Sequence, residues 1–246
     1  MGTITIRDDA ICIRHWDWSE TSQTVSLFSR DHGIIRGIAK GSKREKSPFS
    51  GGVELLTLGE VVAIVRSNGS LATVTAWDLR ESYPGVRRSL RAFYVGSYLI
   101  DLIHHAVTDA DPHPGLFGQM TGLFDLLAER PEEALLRGQW AVLAETGYTP
   151  AMPKGAIGPG VPVCFLPREG VFLVGDAAAA RPDGWRVRPE TVAACGHLAA
   201  ECALPEALES ETIARAGRLL GSYLRHVLGA ELPTMGPVFG ATGLVS

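Results

Sequence analysis

The chain has no apolar run approaching the roughly 20 residues needed to span a bilayer. It has no basic-then-apolar leader either, because charges interrupt every hydrophobic stretch of the opening MGTITIRDDAICIRHW. A cytoplasmic protein with no membrane partner is expected. Cys12, Cys164, Cys195 and Cys202 are scattered and include no Cys-x-x-Cys pair, which argues for reduced thiols, several of them buried. Internal repeats and low-complexity tracts are also missing. What is present suits an ordinary core: 46% hydrophobic and 20% charged residues exclude a disordered chain. At 246 residues, either one large domain or a small domain followed by a larger one fits.

The net charge of −4 hides an asymmetry. Residues 1–91 hold 13 Lys and Arg against 10 Asp and Glu, whereas the remainder holds 10 against 17. Within residues 30–46, Arg30, Arg36, Lys40, Lys43, Arg44 and Lys46 face only Asp31 and Glu45. A basic patch in a mildly acidic chain points to a localised anionic partner.

Residues 1–80 read as β-structure. TITI and AICIRHW are short runs rich in β-branched residues, followed by TVSLF, the turn RDHG and GIIRGIAK. VVAIVR and LATVTAW then flank Ser67-Asn68-Gly69-Ser70, where Asn-Gly suits the type I′ turn of an antiparallel hairpin. Five strands without an intervening helix are most economically closed into a small barrel, which removes exposed edges. After Trp77 the period changes to three and four, predicting helices over 86–107, 115–128 and from Pro131 to a stop at Gly147. Residues 151–189 are rich in Gly and Pro, and VPVCFL and GVFLV are placed to pair across Pro167–Gly170. Helix returns at 190–203 and 211–228, stopped by Gly229. The fold class is therefore α+β. A five-stranded OB-like barrel (1–80) precedes a helical domain (81–150 and 190–230) carrying a small β-hairpin region (151–189), with a loose tail (231–246).

The segment from Ala39 to Gly52 concentrates the chemistry. Lys40, Lys43, Arg44 and Lys46 offer donors to phosphate oxygens, Ser42 and Ser47 can add hydroxyls, and Phe49 is placed to stack on a base. The competing reading is a solvated loop between strands, with Phe49 plugging the barrel mouth. Composition does not separate these readings, and an OB-like barrel around the loop favours nucleic-acid contact. Arg14, Arg36 and Arg66 lie on predicted strands and either extend the patch or are ordinary outward-facing residues. Arg87, Arg88 and Arg91 open the first predicted helix, where the dipole disfavours them.

Enzyme signals are weak. Gly37–Lys43 misses the spacing of a phosphate loop. His104 and His105 are neighbours on a helix and point about 100° apart, so they cannot share one ion. Cys195, His197 and Cys202 are better explained as core thiols and a histidine on another face than as a metal site. No catalytic residue and no cofactor is expected.

Taken together, Glu20-Thr21-Ser22, Asp31-His32-Gly33 and Lys40-Gly41 through Lys46-Ser47-Pro48-Phe49 with Gly51-Gly52 resemble the opening of RecO proteins. The likeness continues through Leu90-Arg91-Ala92-Phe93-Tyr94, Leu116-Phe117 and Gly147-Tyr148-Thr149-Pro150, covering roughly residues 5–150. It implies an N-terminal OB barrel joined to a helical domain, in a nucleoid-associated, non-enzymatic recombination mediator. Such a protein binds single- and double-stranded DNA, anneals strands, and acts with RecR and the acidic tail of single-stranded DNA-binding protein (SSB). Lys40, Lys43, Arg44 and Lys46 stand in the matching positions. Many members carry two Cys-x-x-Cys pairs for zinc after the Gly-Tyr-x-Pro step. Here residues 151–189 offer only Cys164, so no zinc is expected and Val163, Phe165, Val171 and Leu173 must hold the hairpin. An interaction scaffold whose basic loop meets an acidic protein tail instead of DNA is the alternative.

Overall fold

The computed structural model describes residues 2–49, 52–66, 71–158, 160–240 and 244. They divide into two compact units, Met1–Ala128 and Glu129–Ser246. No helix among the described residues is long and apolar enough to cross a membrane.

In the first unit, β1 (Thr3–Asp17), β2 (Gln23–Ser29), β3 (Gly33–Ala39), β4 (Leu58–Arg66) and β5 (Ala72–Glu81) close into a barrel in the order β1-β2-β3-β5-β4. TITI and AICIRHW, expected as separate runs, are one strand. The charges between them remain in the ladder because each finds a partner: Arg7 pairs with Glu60, Asp9 with Arg30 and Arg80. Residues Thr3–Ile11 of β1 pair with β4, and Ala10–Asp17 with β2, with a bulge between Cys12 and Arg14. The last seam is a short parallel pairing of β3 with β5. It needs Gly37, because a Cβ there would lie 2.8 Å from a methyl of Val74 and 2.9 Å from the Ala72 carbonyl oxygen. The expected Asn68-Gly69 turn lies outside the described residues.

Alternation sends Cys12, Val25, Leu27, Ile35, Ala39, Val61, Ala63, Val74 and Trp77 inward, where Phe49 and Val53 join them from the β3–β4 connection. The opposite row of β2 and β3 faces out. Its lower end is covered by helices, with the Phe28 ring 5.9 Å from that of Phe117.

The helix expected over 86–107 is two: α1 (Pro84–Arg88) and α2 (Leu90–Ala106). Ser89 is extended (φ −117°, ψ 116°), and its hydroxyl accepts from the Ala92 amide at 3.2 Å as an N-cap. Arg87 and Arg88 therefore close α1, where the dipole favours cations, instead of opening a helix that would disfavour them. Arg91 alone of the three remains in a first turn. α3 (Pro114–Leu127) completes this unit.

The second unit begins with α4 (Pro131–Glu145), which has proline at its start, Glu132 and Glu133 in its first turn, and Gly147 at φ +79° just beyond its cap. Next come β6 (Val163–Leu166), β7 (Val171–Val174), α5 (Asp176–Ala179), β8 (Trp185–Arg186), α6 (Pro189–Glu201) and α7 (Ser210–Leu228). β6 and β7 form the expected antiparallel hairpin, and β8 adds a two-residue strand that carries too little pattern to be read from sequence. The Phe165 ring lies 4.8 Å from Phe172, 5.9 Å from Trp185 and 4.9 Å, edge-on, from Tyr223 of α7. On the other face, Cys164 and Leu166 pack with Ala178, Val171 and Leu173. The loose tail is corrected in part. Leu232, Met235 and Val238 are buried, the last two on a short helix, α8 (Met235–Phe239). Their spacing of three is a one-sided helical pattern that the surrounding prolines and glycines obscure.

Replacing Phe165 by Ala removes the ring on which three aromatic contacts converge. The substitution is expected to cost about 3–5 kcal/mol, read as a lowered urea midpoint of the second unit.

Candidate nucleic-acid interface

The β3–β4 connection starts where the β1–β2 turn ends, and a buried glutamine joins the two. Gln23, at the start of β2, donates to the Val53 carbonyl at 3.1 Å and accepts from the Val53 amide at 3.1 Å and from the Ser42 hydroxyl at 2.9 Å. The Gly41 amide donates to the Ser22 hydroxyl at 3.1 Å, and the Lys43 amide to the Thr21 carbonyl at 3.1 Å. The basic segment is thus folded against the residues that end the first hairpin. A strand-opening glutamine gives no hint of this role in the sequence.

Phe49 does not stack on a ligand. It is 1% exposed inside the barrel core, and its ring plugs the mouth, because the turn after Lys46 carries the chain back inward. Phe49 is corrected from contact residue to support. Lys40, Arg44 and Lys46 are exposed and, among the described residues, have no ion-pair partner. Lys43 pairs with Asp17. That pair is exposed, so it is worth about 0–1 kcal/mol and can open for an incoming anion.

The strand arginines behave differently. Arg14 and Arg36 sit in one cross-strand row, both opposite Ser26 of β2. Arg14 is held by Asp101 of α2, and Arg36 donates to both carboxylate oxygens of Asp109 at 2.7 and 2.9 Å. Both arginines clip the following helix region onto the barrel; Arg14 does so against a buried carboxylate, whereas the Arg36–Asp109 pair is exposed and, like Lys43–Asp17, can open. Arg66 is exposed at the far end of β4, beside exposed Ile4 and Leu71, and does not join the basic segment. Arg7, Arg30 and Arg80 are likewise engaged by Glu60 and Asp9.

What the sequence reading misses is Trp16 and Trp18. They are 50% and 65% exposed, immediately on either side of Asp17. AICIRHW reads only as a run rich in β-branched residues, and the bulge after Cys12, which decides which residues face out, leaves no mark in it.

Beneath the arginine row, His104 of α2 has its Nδ1 buried without a hydrogen-bond partner. Burial, then the charges of Arg14, Arg36 and His105, bring its pKa from 6.5 down to about 4 against the opposing pull of Asp101. Elsewhere Cys12, Cys164 and Cys195 are buried and Cys202 is exposed, and burial pushes the Cys195 thiol up to about 12. No group of three or more metal-ligating side chains comes together among the described residues.

Two family models match consecutively: Recombination protein O N terminal over residues 1–83, and Recombination protein O C terminal over residues 87–235. The chain belongs to the RecO family. It is 38% identical over 147 residues to the DNA repair protein RecO of Rhodopirellula baltica, covering 59% of this chain and 54% of that one. With the RecO of Geobacter metallireducens it shares 32% over 121 residues, 49% of each chain. These two matches span about half the relatives' length. With the RecO of Myxococcus xanthus, identity is 26% over 234 residues, 93% of this chain and 94% of that one. The matched N-terminal region contains the whole barrel and the basic segment.

Gln23→Ala leaves Ser42 and Val53 without their buried partner. It is expected to cost about 1–3 kcal/mol by chemical denaturation. A second expectation concerns acid. Neutral His104 is the folded form, so its contribution is full above pH 6.5 and is lost as pH falls toward about 4. Denaturation midpoints measured across that window should fall more steeply for the wild type than for His104→Gln.

Proposed function

We propose that the chain is a non-enzymatic recombination mediator in DNA repair. It binds single- and double-stranded DNA, promotes strand annealing, and acts with RecR to help load recombinase onto SSB-coated DNA in the nucleoid. Family membership and the relatives' description as DNA repair proteins support the general role. The observation that carries DNA contact is the distribution of unpaired charge. Most cations on the barrel strands are answered by a carboxylate, yet Lys40, Arg44 and Lys46 have no ion-pair partner among the described residues, on one loop anchored at one end of an OB-type barrel. Free Lys and Arg side chains on a rigid support are what a phosphate backbone requires. The acidic balance of the rest of the chain favours protein partners there.

A second reading has its own support. Ile4, Ile6, Leu71 and Arg66 border a groove of about 500 Å³ on the first unit, where apolar side chains lie beside Arg66 and Arg36, with Asp31 and Asp109 also in the lining. Such chemistry suits an acidic protein tail with apolar residues, such as that of SSB, and makes the barrel a protein-interaction scaffold.

Titration of a fluorescent single-stranded oligonucleotide at several salt concentrations separates the two. Each phosphate contact contributes about −0.7 to the slope of log K against log salt. Changing Lys40, Lys43, Arg44 and Lys46 together to Ala is expected to weaken binding and flatten that slope by roughly 2 to 3. Failure of the wild type to bind bare DNA at low salt would instead make the barrel a protein-interaction module.

A further inference from the structure

We infer that Trp16 and Trp18 form a base-stacking platform that makes this end of the barrel select single-stranded over duplex DNA. The inference rests on the DNA-binding reading above and goes beyond it in naming the stacking residues and the strand preference they impose.

Two of the chain's five tryptophans are among its most exposed large side chains, whereas Trp77 and Trp140 are 1% and 5% exposed. One exposed aromatic is ordinary on a protein surface. A pair separated by one residue, beside free cations, is a different arrangement. Register places Trp16 opposite Thr24 of β2, and Thr24 opposite Ile38 of β3, so the three form a row on the outer face. Lys40 follows Ile38 by two residues, and Lys43 pairs with Asp17 between the tryptophans. The aromatic rings and the basic segment therefore share one end of the barrel.

The adjoining part of the same face is closed. The next row holds Arg14 and Arg36, each occupied by a carboxylate, and beyond it Phe28 packs under Phe117. OB barrels commonly bind oligonucleotides across the face of strands 2 and 3 and the first connecting loop. Here helices and their carboxylates cover most of that face, leaving the Trp16–Thr24–Ile38 row and the loop beside it. A short path remains, with rings on one side and cations on the other.

Stacking on an indole requires a base whose face is free. Single strands supply one at little cost, whereas a duplex must first unstack and unpair. Cations attract both forms, so the rings decide between them.

The test uses the full-length protein, a labelled 20-mer of dT and a blunt duplex of the same length. Trp16→Ala/Trp18→Ala is expected to lose roughly 10- to 100-fold in affinity for the dT 20-mer, with a much smaller loss for duplex and an unchanged salt slope. Trp16→Phe/Trp18→Phe should recover most of the single-strand affinity. Wild-type tryptophan fluorescence should be quenched by the dT 20-mer, and the residual emission of the Ala variant should not respond. If the Ala variant binds the dT 20-mer as the wild type does, or loses both DNA forms equally, the platform is refuted while DNA binding stands. If the wild type binds neither form at low salt, the DNA-binding reading itself falls and the platform with it.

Discussion

A five-stranded sheet keeps two open edges unless its outermost strands pair with each other, and here the fifteen-residue β1 links β4 to β2 while β3 meets β5 to complete the ring. The first half of β1 serves β4 and its second half serves β2, with the bulge at Cys12 and Arg14 turning the chain from one partner to the other. That same bulge decides which residues of the second half face outward. Arg14 and Trp16 come to the outer surface, and His15 and Asp17 face the basic segment's side. Closure of the barrel and composition of the candidate interface are therefore one geometric event.

Much of this architecture was legible in residue pattern. β-branched runs, the change of period after Trp77, proline at the start of α4 and glycine after α7 mark elements by mechanisms acting within a few residues. The missing pieces need information from further away. The continuity of β1 through Arg7, Asp8 and Asp9 depends on partners at Glu60, Arg30, Arg80 and the β2–β3 turn. The break at Ser89 depends on a cap chosen over a continuous helix. Phe49 illustrates the limit best, since base stacking and plugging a barrel require the same ring in the same loop. Only the path of the chain after Lys46 separates them.

Charge asymmetry was legible as a total and not as an arrangement. The surplus of acid after residue 91 reads as a surface that repels DNA, yet Asp101 and Asp109 are spent on Arg14 and Arg36. Pairing acts as a sieve. It removes most strand cations from consideration and leaves a few on one loop, which a count along the chain cannot show. It also ties the helix region to the barrel at Asp101 and Asp109, beside the Phe28–Phe117 packing, where they bound the surface left open for a ligand.

The hairpin of the second unit is closed by aromatic rings and not by a cluster of cysteines. A metal-coordinated hairpin answers to acid and to chelators, because its ligands must shed protons to bind. One closed by Phe165, Phe172, Trp185 and Tyr223 answers instead to temperature, since apolar burial loses strength on cooling. The packing of this hairpin is accordingly a contact that cold weakens.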